Sequence, residues 1–113
     1  MRIKVYISGA IMYATGEDRF AIAEQMLEER GFAAINPKKV SACGARDHEC
    51  DTLQPHEVLR GMAHSWACFM RYDLLALLRC DAIYMLRGWE LSHGARLELN
   101  VAAAVGLSVM MED

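Results

Sequence analysis

Four short runs rich in apolar and β-branched residues, "RIKVYISG", "FAAIN", "DAIYMLRG" and "LSVMM", alternate with stretches whose apolar residues recur every three to four positions. Few folds accommodate that order. A strand, a helix and a second strand form a right-handed parallel crossover, and repeating the unit builds a mostly parallel sheet with helices on both faces. In the first run, Arg2–Gly9, Ile3, Val5 and Ile7 alternate with Arg2, Lys4, Tyr6 and Ser8 before glycine ends the strand. Asp18–Arg30 then puts Phe20, Ala23, Met26 and Leu27 on one helical face, with Glu24, Glu28 and Glu29 opposite and Gly31 as the stop. Pro37 ends the second run because it has no N–H to give to a ladder.

Lys38–Met62 has the weakest periodicity and contains Gly44, Pro55 and Gly61, which predicts a long loop with a short helix near His56–Arg60. Ala67, Met70, Leu74, Leu77 and Leu78 predict a helix over His64–Arg79, and Gly94–Val105 a further one before "LSVMM" closes the sheet. The expected fold is a small doubly wound, Rossmann- or flavodoxin-like α/β sheet of four to five mostly parallel strands, in one domain spanning residues 1–113.

Apolar residues at 54% and charged ones at 24% are a globular balance, and a net charge of −3 provides no field to gather nucleic acid. No apolar run reaches the roughly 18 residues of a membrane span, and Met1–Gly9 carries alternating charges where a signal peptide has an apolar core. These features predict a cytoplasmic protein that binds neither nucleic acid nor membrane. Cys43, Cys50, Cys68 and Cys80 read as reduced thiols in that setting.

In this architecture ligands bind beyond the carboxyl ends of the strands, here after Gly9, Asn36 and Gly88. The last turn opens "GWELSHGARLELNVAAAVG". Glu98 falls near the start of its helix, where the partial positive charge of the amide end favours an ionised carboxylate. Such a group serves as a nucleophile or steadies a cationic sugar carbon, although first-turn acids also occur for dipole reasons alone. Ser92 and Gly94 suit a helix cap and close backbone approach, or a phosphate held on exposed amides. Trp89 offers a stacking surface or simple packing. Asp73 lies at the edge of the apolar stripe of its helix, and Tyr6, Ser8 and Gly9 stand where the first strand ends.

The segments "VYISGAI", "YDLLALLRCDAIYML" and "SHGARLELNVAAAVGLSVM" together resemble the nucleoside 2-deoxyribosyltransferase superfamily over nearly the whole chain. The likeness is nearest to a small branch common in phages and prophages with a recurring W-x-x-S-x-G-A-x-x-E segment. The resemblance implies cleavage or transfer at the N-glycosidic bond of a nucleoside or nucleoside 5′-monophosphate. Glu98 is then similar to the nucleophile, Asp73 to the aspartate that helps the base leave, and Tyr6, Ser8, Gly9, Trp89, Ser92 and Gly94 to pocket residues. It also implies a homo-oligomer and no cofactor. Ser92 stands where transferases acting on free nucleosides carry aspartate and where 5′-monophosphate N-hydrolases carry serine. Ala10 and Met12 replace those hydrolases' phosphate-gripping serine and arginine, leaving Arg19, Arg87 or Arg96 as substitutes. An inactive nucleotide-binding module of the same fold is the alternative.

One other constellation stands out. "CGARDHECDTLQPH" concentrates Cys43, His48, Cys50 and His56, residue types that zinc favours. Their spacing fits no standard knuckle, so the expectation is loop residues and no metal.

Overall fold

The four apolar runs form strands β1 (Lys4–Ser8), β2 (Ala33–Ile35), β3 (Ala82–Met85) and β4 (Ser108–Met111) of one sheet. The strand order is β2-β1-β3-β4 and every neighbouring pair is parallel. A computed structural model describes residues 2–11, 17–40, 43 and 50–113. Helices α1 (Arg19–Glu29), α2 (Pro55–Leu59), α3 (Trp66–Leu78) and α4 (His93–Ala104) complete the fold. Each lies within a residue or two of its predicted bounds.

The sheet is sandwiched, and its two faces have separate cores. Val5, Ile7, Tyr84 and Leu86 pack against Phe20, Ala23 and Leu27 of α1. Tyr6, Ile83 and Met85 point the other way, against Leu77 of α3 and Ala95 and Ala102 of α4. Fully buried side chains such as Ile7, Leu27, Leu77 and Ile83 each contribute about 1.5–3 kcal/mol through the apolar surface they take out of water. The alternation in β1 therefore separates two buried faces, not a core face from a solvent face. Tyr6 and Ser8, its polar half, have no exposure at all.

Local chemistry sets the element ends. Asp18 caps α1 by accepting from the Ala21 N–H at 3.1 Å. The helix stops where Gly31 takes φ +91°, and the Gly31 and Phe32 amides, each at 3.0 Å, bond back to Glu28 and Leu27. Between β2 and α3 the buried Glu57 carboxylate accepts from the Gln54 and Trp66 amides at 2.9 and 2.6 Å. That pins α2 to the start of α3, and these two amide bonds hold the Glu57 carboxyl below its usual pKa range.

The strand order determines where a ligand fits. From β1 the chain crosses to β2 on one side, while from β3 it crosses to β4 on the other, so the carboxyl ends of β1 and β3 flank the point where the winding reverses. Among the described residues no helix is long and apolar enough to cross a membrane.

Candidate active site

Gly9 follows β1 directly and must be glycine. A Cβ built there would lie 2.8 Å from Leu86 Cβ, an atom fixed to the backbone just past β3. The two strand exits therefore touch, and the cleft opens above that contact. Its walls come from Gly9, Phe20 and Pro37 on one side and from the first turns of α3 and α4 on the other. The inner space is about 190 Å³, and an outer hollow of about 410 Å³ shares Ile11, Pro37, Phe69 and Asp73 with it.

Glu98 lies on the cleft wall with only 5% of its surface exposed. It is in the second turn of α4, and its carboxylate reaches across to β1. The Tyr6 hydroxyl donates to Oε2 at 2.6 Å and the Ser8 hydroxyl donates to Oε1 at 2.7 Å. Alternation in β1 aims Tyr6 and Ser8, two residues apart, at the same face. Both oxygens of the carboxylate are thus fixed by partners 92 and 90 residues away in sequence.

Burial has an electrostatic consequence. Removal from water pushes the Glu98 carboxyl up to about 7, against the lowering effect of the two hydroxyl donors, and the nearby Asp73 charge adds to the rise. A position near the helix start favours a carboxylate ionised at neutral pH; desolvation, which the sequence does not display, outweighs the dipole. Asp73, on α3 and half-buried, is raised to about 6 by the same cause. The Tyr6 hydroxyl is driven far above its ordinary value by burial and by the neighbouring carboxylates, so it remains a donor.

Of the residues expected to line a site, Glu98, Asp73, Gly9, Ser92 and Gly94 border the cleft. Tyr6 and Ser8 lie behind it and position Glu98. Ser92 caps α4, its Oγ accepting from the Ala95 N–H at 3.1 Å. Gly94 gives Met70 room, since a Cβ there would meet its sulfur at 3.3 Å. Trp89 does not line the cleft; it packs on the core beneath α3 and α4. The tryptophan at the mouth is Trp66, stacked on His93 with ring centroids 5.1 Å apart and planes 21° from parallel. Phe69 stands beside it. Neither was expected from the sequence, although Trp66, Phe69 and Asp73 share three- and four-residue spacing on α3.

The arginine substitutes do not reach the cleft. Arg19 donates to the Arg87 carbonyl at 2.8 Å and to Glu112 at 2.6 Å, Arg87 bonds the Asp113 carbonyl, and Arg96 is exposed on α4 away from the lining. Among the described residues, Lys38 is the one basic side chain bordering either space. Ala10 does not line the cleft, and Met12 lies outside the described residues.

Residues 3–111 match the family model for a domain of unknown function (DUF4406), and the chain belongs to that family. No curated protein and no solved structure matches it.

Proposed function

We propose that this DUF4406 protein breaks the N-glycosidic bond of a nucleoside or nucleoside 5′-monophosphate, passing the sugar to water or to a second base. The observation that supports this reading is the Glu98 carboxylate, clamped at both oxygens by Tyr6 and Ser8 on the wall of a cleft that Asp73 also borders. Glu98 attacks the anomeric carbon, the carbon–nitrogen bond breaks, and its electron pair leaves with the base. Asp73 protonates that base. Water or a second base then attacks the sugar carbon and releases Glu98, and Asp73 takes up the proton lost by the incoming group. The apolar rings of Trp66 and Phe69 at the mouth suit a flat base.

The test is incubation with a panel of deoxynucleosides, ribonucleosides and their 5′-monophosphates, with free base measured by chromatography. Native protein is expected to release base, and Glu98→Ala to release it at least about a thousandfold more slowly. Release unchanged in that variant refutes the assignment. A second reading, an inactive nucleotide-binding module, is favoured by the engagement of Arg19 and Arg87 elsewhere, which leaves Lys38 as the one basic side chain at the cleft among the described residues. Tight binding of a panel member without base release supports it.

The proposal extends to a homo-oligomer. Ile11, Trp66 and Phe69 are all more than 40% exposed around the mouth, an apolar rim that a second copy would cover. A monomer mass in light scattering overturns that part.

A further inference from the structure

On the far side of α3 from the sheet, three sulfurs and an imidazole converge. Cys43 Sγ, Cys50 Sγ, Cys68 Sγ and a His64 ring nitrogen all lie within 4.8 Å of one another. Cys43 Sγ and His64 Nδ1 are 3.1 Å apart. Cys50 and Cys68 are buried, Cys43 and His64 partly so, and all three cysteines are free thiols. From these contacts we infer that Cys43, Cys50, His64 and Cys68 form a structural zinc site. The inference does not depend on the glycosidic reading.

Zinc holds thiolates at about 2.3 Å and imidazole at about 2.0–2.1 Å in a tetrahedron, whose edges are then about 3.6–3.8 Å. No pair exceeds that edge by more than about 1 Å, and the Cys43–His64 pair lies about 0.5 Å inside it, so small side-chain rotations fit the set around an ion. Three sulfurs and one nitrogen select zinc over calcium or magnesium, which want oxygen, and four protein ligands leave no open position for catalysis. On binding, the three thiols release their protons to solvent and the imidazole stays neutral; the filled site carries one net negative charge.

The surroundings hold the ligands in place. His64 packs edge-on against Phe69, with centroids 5.7 Å apart and planes at 76°. Ser65 caps α3 by accepting from the Cys68 N–H at 2.9 Å, and its hydroxyl is hydrogen-bonded to Thr52, whose Oγ1 lies 3.6 Å from Cys50 Sγ. Spacing within "CGARDHECDTLQPH" pointed to another set and to no metal. Cys43 and Cys50 belong to both sets, but His56 stands on α2 outside the cluster and His48 lies outside the described residues. The fourth ligand, Cys68, is in the first full turn of α3, and His64 just precedes that helix. An ion there ties residues 43 and 50 to the end of α3 that supplies Trp66, Phe69 and Asp73 to the cleft.

The experiment is metal analysis of native protein purified without chelator, followed by cobalt titration of chelator-stripped protein under reductant. About one zinc per chain is expected, together with the intense visible bands and near-ultraviolet charge transfer of tetrahedral cobalt–thiolate. Cys68→Ser and His64→Ala are expected to lose the metal; His56→Ala and Cys80→Ser are expected to keep it. Should Cys68→Ser fail to fold, the cobalt spectrum of native protein decides. Less than about 0.2 zinc per chain with no cobalt–thiolate bands overturns the site. So does a mass two hydrogens short in native protein as purified, before stripping and without reductant, which would show a disulfide instead. Metal loss from His56→Ala overturns the ligand assignment.

Discussion

Replacing Glu98 by glutamine should make this protein less stable in acid and more stable in mild base. An unfolded glutamate ionises near 4.5, whereas burial moves the folded Glu98 to about 7. Between those two values the folded state holds a proton that the unfolded chain has given up, so native stability falls as pH rises through that window and levels off above it. At about 1.4 kcal/mol for each unit of pH, the fall attributable to Glu98 is about 3 kcal/mol. Glutamine does not titrate, and its amide nitrogen donates and does not accept, so either Tyr6 or Ser8 loses its acceptor, which costs about 1 kcal/mol at every pH. Glu98→Gln is therefore expected to be about 1 kcal/mol less stable than native protein near pH 4.5 and about 2 kcal/mol more stable near pH 8. Urea melts of both proteins across this range are the assay. With a slope of roughly 1.5 kcal/mol per molar urea, the midpoint difference should swing by about 2 M and change sign. Curves that stay parallel from pH 4.5 to 8 would refute the reasoning, because Glu98 would then titrate as a solvated carboxylate and could not be a buried, poised nucleophile.

Three other outcomes follow from the same geometry. If Glu98 must be ionised and Asp73 protonated, kcat/KM for base release should be bell-shaped with a maximum near about 6.5, midway between about 6 and about 7, the limbs belonging to the coupled pair; a profile flat from pH 5 to 8 removes Asp73 as the acid. Gly9→Ala should cost about 1–3 kcal/mol in a urea melt, since the new methyl meets Leu86 Cβ with no free space to yield into. The tryptophans should separate by assay: Trp66→Ala raises KM and leaves the melt within about 0.5 kcal/mol of native, while Trp89→Ala destabilises by about 2 kcal/mol through lost packing.

Much of the fold is legible in the chain because hydrophobic period reports burial directly. Each strand and long helix follows from its spacing; Ser92, Gly94 and Glu98 fall at the helix start that a reversing sheet turns toward its crevice, and Asp73 falls at the edge of the apolar stripe of α3. What is not legible depends on distance in space. Trp66 and Phe69 lie on a face of α3 that becomes a cleft wall only because α4 packs beside it, while Trp89, nearer to Glu98 in sequence, folds underneath. Tyr6 and Ser8 look like the wet half of a strand until the α3 and α4 layer covers them. The cysteine and histidine cluster misleads for the same reason: neighbours within fourteen residues suggest one set, and the folded chain assembles another that reaches into α3. The rise of Glu98 to about 7 is likewise a property of the enclosure, absent from any local pattern.

The carboxylate and the two hydroxyls that grip it come from opposite sides of the seam between β1 and β3, Tyr6 and Ser8 from one half of the sheet and Glu98 from the helix that follows the other. The grip is therefore a strain gauge for the whole molecule. A motion that parts the halves would release the hydroxyls and open the pocket to water, so any base release should fade at temperatures where circular dichroism still reports an intact protein.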